Sequence, residues 1–120
     1  MVLERYRRAL KLAVKLGDRS ETSIEIQGVA MSESGLSHPQ RALRLASAAA
    51  AEFDALAVDF SGIRFWRELL DRYLGKARVD LGEKASDAVW AEGRVMTFDR
   101  AIEYALLEGG DAKRLQKVQN

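Results

Sequence analysis

The chain of 120 residues has one histidine, His38, and proton transfer would start there. Catalysis or metal binding needs carboxylates or further ligands at a fixed spacing, because a constellation and not a lone residue makes a site. Ser37, Pro39 and Gln40 around it account for His38 instead as a residue at a helix start. Asp54, Asp59 and Asp71 are the candidate acids. Paired-carboxylate chemistry requires two such groups in one cleft with separated pKa values. These three share neither a helix face nor a partner histidine, so they read as solvated or helix-end charges. Cysteine is absent, which removes thiolate zinc sites, disulfides and cysteine nucleophiles. No G-x-G-x-x-G pattern and no phosphate-loop lysine occurs, so no nucleotide site is expected. The expectation is a chain that is not an enzyme and holds no cofactor or metal.

Two further groups could bind. Arg5, Arg7, Arg8, Lys11 and Lys15 make the N-terminal segment basic, with Glu4 its one acid. Such a face could meet phosphate, but it reads better as solvated or as a contact for an acidic partner. Nineteen Lys and Arg against eighteen Asp and Glu leave a net charge of +1. Nucleic-acid modules carry a clear basic excess, so no direct nucleic-acid binding is expected. Trp66 and Trp90 could stack on a ligand, yet each lies on an apolar stripe and reads as core.

The elements that must position these residues are helical. There is one proline, β-branched residues never alternate in a run, and hydrophobic residues make up 48% of the chain. No stretch is long and apolar enough to span a membrane, and the N-terminus lacks a signal-peptide core, so the expected location is cytoplasmic. Residues 2–16 form a first helix on the stripe Leu3, Tyr6, Leu10, Ala13 and Val14, ended by Gly17. Asp18 caps a second helix over residues 19–34, with Glu21 three residues on. Its Ser20, Thr22 and Ser23 are mediocre helix formers. Gly28 inside it costs about 1 kcal/mol against alanine and suggests close approach of a neighbour.

Ser37 is expected to cap a third helix to about Leu56, with Pro39 in its first turn and Ala42, Leu45, Ala46, Ala49 and Phe53 inward. A break at 59–62 precedes a fourth helix over residues 63–81, with Trp66, Leu69, Leu70, Tyr73, Leu74 and Ala77 inward, ended by Gly82. A fifth over residues 83–92 carries Ala85, Ala88, Val89 and Trp90 to Gly93. Thr97 caps a sixth, stopped by Gly109-Gly110. Connections of this length make sequential helices antiparallel neighbours. One domain over residues 1–110 is expected, with repeat-like helices to 57, capping helices over 58–110 and a polar tail from 111 to 120.

The segment Ile24-x-x-Gln27-Gly28-x-x-Met31, followed by Ala42-x-x-x-Ala46, follows tetratricopeptide spacing. Arg41-Ala42, Arg44-Leu45, Leu81-Gly82, Trp90-Ala91-Glu92-Gly93 and Thr97 with Ala101-Ile102 extend the pattern. Together they resemble the C-terminal tetratricopeptide-like segment of bacterial LuxR-type ATPase transcriptional regulators and multidomain adenylate cyclases. Departures are Ser47-Ala48-Ala49 in place of Gly-Ala-Ala and a longer turn before Pro39.

The resemblance implies an all-α fold of antiparallel helix pairs, stacked as a short right-handed array of about six helices. It implies a tail of a longer regulator or a small free-standing relative, acting as a non-catalytic protein–protein interaction module. Partners would be another protein, other domains of the same regulator or a second copy. A small-molecule-sensing helical domain that answers a ligand by changed packing is the alternative. First-type helices line the concave side in that family, which would put Thr22, Glu25, Val29, Ser32 and Glu33 on a binding surface. Leu3, Tyr6 and Leu10 would stay half exposed for a missing neighbour, since each repeat buries its apolar side only against the next.

Overall fold

The computed structural model describes residues 3–57 and 64–107. Among them are six helices and no strand: α1 Leu3–Leu16, α2 Arg19–Gly35, α3 Pro39–Leu56, α4 Arg64–Leu81, α5 Glu83–Arg94 and α6 Phe98–Leu106. The expected break at 59–62, the Gly109-Gly110 stop and the polar tail lie outside the described residues.

Several helix ends form as their residues dictate. Gly17 adopts φ +71°, the left-handed region that only glycine enters without a Cβ penalty. The Asp18 carboxylate accepts the Glu21 amide at 2.9 Å, and the Thr97 hydroxyl accepts the Arg100 amide at 3.2 Å. Each satisfies an amide that the first helical turn leaves without a partner. Before α3 the structure differs from expectation. His38, not Ser37, is the N-cap residue, and its side chain makes no capping bond. Ser37 turns the chain instead at φ +65°.

The centre of the molecule is α2, buried on every side from Ile26 to Ser34. Its hydroxyls make this possible by bonding back along the helix. Thr22 Oγ1 donates to Asp18 O at 2.6 Å, Ser23 Oγ to Arg19 O at 3.0 Å and Ser32 Oγ to Gly28 O at 3.0 Å. A polar side chain that satisfies itself on the preceding turn can be buried without an orphaned donor. Gly28 provides the expected close approach, for a Cβ there would lie 2.2 Å from Cδ1 of the Tyr6 ring on α1.

Around α2, the small-residue face of α3 packs against α2, α4, α5 and α6. Gly93 is not the expected helix stop. It sits within α5 at the crossing with α3, where a Cβ would come 2.3 Å from the Arg44 carbonyl oxygen. The inward residues of α5 are Ser86, Val89 and Gly93, while Ala85 and Ala88 face outward. On α4 only Ala77 is fully buried, and Trp66, Leu69, Leu70, Tyr73 and Leu74 are half-buried.

The six helices pack on their neighbours as the expected all-α array. The end of α6 returns to α1, where the Arg7 guanidinium meets the Ala105 carbonyl, and the principal extents are 32 × 28 × 27 Å. Leu10 is consequently buried, and Leu3 and Tyr6 pack on the same apolar cluster. On that face α2 and α6 cover Leu10, while Leu3 and Tyr6 stay half-buried. No helix among the described residues is long and apolar enough to cross a membrane.

Candidate functional site

The largest concentration of chemistry-bearing groups lies where α1, α2, α3 and α6 meet. Glu33, on the last turns of α2, has a side chain only 3% exposed. Its Oε2 accepts from Arg41 Nε at 2.8 Å, and its Oε1 lies 3.8 Å from Arg7 Nη2. The His38 Nδ1 is 2.9 Å from the same Oε2, with its ring half exposed. An ionised carboxylate only accepts, so the imidazole donates here.

Both arginines also reach the C-terminal end of α6. Arg7 donates from Nε to Ala105 O at 3.1 Å and from Nη2 to Leu107 O at 2.8 Å. Arg41 Nη2 donates to Tyr104 O at 2.9 Å and Leu107 O at 2.8 Å, and its guanidinium lies 4.6 Å from the centre of the Tyr104 ring. The last carbonyls of a helix have no partner within it and carry the negative end of its dipole, so two guanidinia are suited to close it. Among the buried side-chain atoms of the described residues, Arg41 Nη1 is left without a hydrogen-bond partner.

This arrangement brings His38 against a carboxylate, the geometry a general base would need. The same groups are engaged in contacts that hold the helices together. Glu33 already shares its charge with two guanidinia, and the His38 ring bonds no hydroxyl among the described residues. No three His, Asp or Glu side chains among those residues are placed to hold a metal ion.

Arg7 and Arg41 are the residues that sequence reasoning missed as a pair. Arg7 was grouped with surface cations, yet it stands four residues after Leu3 and three before Leu10, on the apolar stripe of α1. An arginine at an inward position is the signal of a buried carboxylate or helix end.

Of the residues expected on a concave binding surface, Thr22, Val29, Ser32 and Glu33 are buried within the chain. Their polar atoms are engaged as described, so they form no free surface. Glu25 alone is partly open. Its carboxyl is pushed from 4.5 up to about 7 by partial burial first, then by the hydrogen bond and charge of Glu21 one turn earlier. Tyr6 nearby is raised from its ordinary value by burial and by the charge of Glu25. Asp54 holds Arg94 at 2.9 Å, an exposed surface pair.

A cleft of about 300 Å³ opens beside the C-terminal end of α2, lined by Met31, Ser32, Gly35, Leu36 and Tyr73. The Ser32 hydroxyl donates to its own helix, and Ser34 Oγ beside the cleft donates to Tyr73 O at 2.6 Å. Large apolar side chains stand exposed: Leu36 at the cleft, Leu12 and Leu16 on α1 together with Val14, expected on the inward stripe, Phe65 and Val79 on α4, and Val95 after α5. No family model matches this chain, and no curated protein or solved structure matches it significantly.

Proposed function

We propose that the chain is a non-catalytic protein–protein interaction module, the C-terminal part of a bacterial transcriptional or signalling regulator that works in the cytoplasm. One observation carries this reading. The groups able to do chemistry are spent on closing the fold, while large apolar side chains remain on its surface, with Leu16, Phe65 and Val95 each more than 70% exposed. Surfaces of that kind gain by meeting another protein.

The resemblance to regulator tails supports the second half of the proposal, and the motifs that carry it touch one another. Arg44 of the Arg-Leu pair holds Glu92 of the Trp-Ala-Glu-Gly element at 3.1 Å. Ser47 donates to the Trp90 carbonyl, and Gly93 lies under the Arg44 carbonyl. These residues join α3 to α5, and Arg44 Nη1 donates to the Tyr104 hydroxyl on α6 at 3.2 Å, as a unit ending a helical array would require.

The test is affinity capture on the immobilised chain with light scattering of the free chain. The module reading expects a defined protein partner or self-association at micromolar concentrations. A strictly monomeric chain that retains no protein would overturn it. The alternative, small-molecule sensing, draws on the cleft beside Tyr73. A ligand-dependent rise in melting temperature that Tyr73→Ala removes would favour that alternative.

A further inference from the structure

We propose that the solvent face of α1 docks an acidic amphipathic helix of a partner protein, an assignment that rests on the interaction-module reading. Leu12 and Leu16 stand one turn apart on this face, 57% and 72% exposed, with the half-buried Ala9 three residues before Leu12. They form an apolar ridge that faces away from the core residue Leu10 and runs beside Ala13, which lies one turn from both Ala9 and Leu16. Arg8, Lys11 and Lys15, at steps of three and four residues, run along one edge of that ridge, and Arg5 stands at its N-terminal end.

Cations without an ion pair are most numerous on this helix, and Arg67, Arg72 and Lys84 are the others among the described residues. Arg19, Arg44, Arg78, Arg94 and Arg100 each hold a carboxylate. Arg5, Arg8, Lys11 and Lys15 make no ion pair among the described residues, and Glu4 is the one acid of their helix. An apolar ridge with a row of unpaired cations on one edge complements a helix with its own ridge and carboxylates along the matching edge.

The same observations disfavour the other anionic occupants. A membrane surface would find two leucines and no aromatic anchor on this face, little apolar area for insertion. A nucleic-acid backbone laid on the cation row would bring phosphates against Leu12 and Leu16, which gain nothing from them. A rigid helix buries both leucines and meets the cations at once.

The test uses fluorescence anisotropy of a labelled peptide of about 20 residues, long enough to become helical on binding. Its leucines recur every three or four positions and its glutamates follow one edge. The full chain is expected to bind it, and a scrambled peptide of the same composition roughly tenfold more weakly. Leu12→Gln with Leu16→Gln should weaken binding at least roughly tenfold, since both side chains lose burial on the ridge. Lys11→Glu with Lys15→Glu should weaken it at low salt and less so at high salt. All four positions are exposed, and circular dichroism verifies that each variant is folded. Equal affinity for the scrambled peptide, an unchanged leucine variant, or stronger binding to phosphatidylserine vesicles or duplex DNA would overturn the proposal. Retention of a native protein partner by the leucine variant would overturn the α1 assignment and leave the module reading standing. Failure of the parent chain to bind any protein would remove both.

Discussion

Glu33 balances two guanidinia and an imidazole with one carboxylate, and that imbalance sets the consequence of losing it. Glu33→Ala leaves Arg7 and Arg41 buried with only helix-end carbonyls as partners. Breaking a buried pair from one side costs about 3–5 kcal/mol, and urea unfolding should show a loss of that size. A loss below about 1 kcal/mol would mean that the α6 carbonyls alone satisfy the arginines. Glu25 gives a prediction in pH. Its folded value of about 7 stands above its ordinary 4.5, so the folded state binds the proton more tightly. Stability from this group is full below about 4.5 and is lost as pH rises to about 7. Glu25→Gln should flatten that part of the melting-temperature profile, and carboxyl NMR should place its midpoint near neutrality. Residue roles were only partly legible in the sequence. The apolar stripe of α1 contained Arg7 in plain view, but grouping by charge set it among the surface cations. Arg41 offered no local sign of its distant partners on α6.

Among the elements, α2 departs furthest from its appearance. A run with Thr22, Ser23, Ser32 and Ser34 looks like a half-polar helix suited to an open surface. Back-bonding by Thr22, Ser23 and Ser32, and the bond from Ser34 to the Tyr73 carbonyl on α4, let it occupy the centre, and nothing in a one-dimensional pattern distinguishes a satisfied serine from a hydrated one. Helix ends were more legible because capping is local chemistry, as at Gly17, Asp18, Gly82 and Thr97. Thr97→Ala should cost about 1 kcal/mol and speed hydrogen exchange in the first turn of α6. The two close helix approaches should respond differently to alanine. At Gly93 the obstacle is the Arg44 backbone carbonyl, which cannot swing aside, so Gly93→Ala should destabilise by about 1–3 kcal/mol. At Gly28 the obstacle is the Tyr6 ring, which is half-buried and can rotate outward, and alanine recovers about 1 kcal/mol of helix propensity. Gly28→Ala should therefore cost less than Gly93→Ala in paired thermal melts. The reverse order would contradict the packing described for both crossings.

For the whole molecule, the decisive feature is the return of α6 to α1 and α3 through Arg7 and Arg41. Helix number and helix type followed from periodicity and caps, because those are written over short distances. The closure was not legible, since it depends on arginine side chains meeting main-chain carbonyls 63 and 98 residues away in sequence. It also moves the open surface. Leu10 is buried and Leu3 and Tyr6 are half-buried on the core side, and the exposed apolar residues of the same helix are Leu12, Val14 and Leu16. Amide exchange in the middle of α1 should accordingly be as slow as in α3, and Arg41→Ala should accelerate it together with exchange in α6. The central claim is that this chain acts by binding protein through its exposed apolar positions. The most direct measurement places a photocrosslinking amino acid in turn at Leu12, Leu16, Leu36, Phe65 and Val95 and resolves the products by mass spectrometry. The account predicts a discrete protein adduct, strongest at Leu12 and Leu16. A chain that yields no protein adduct at any of these positions while remaining folded and monomeric would contradict it.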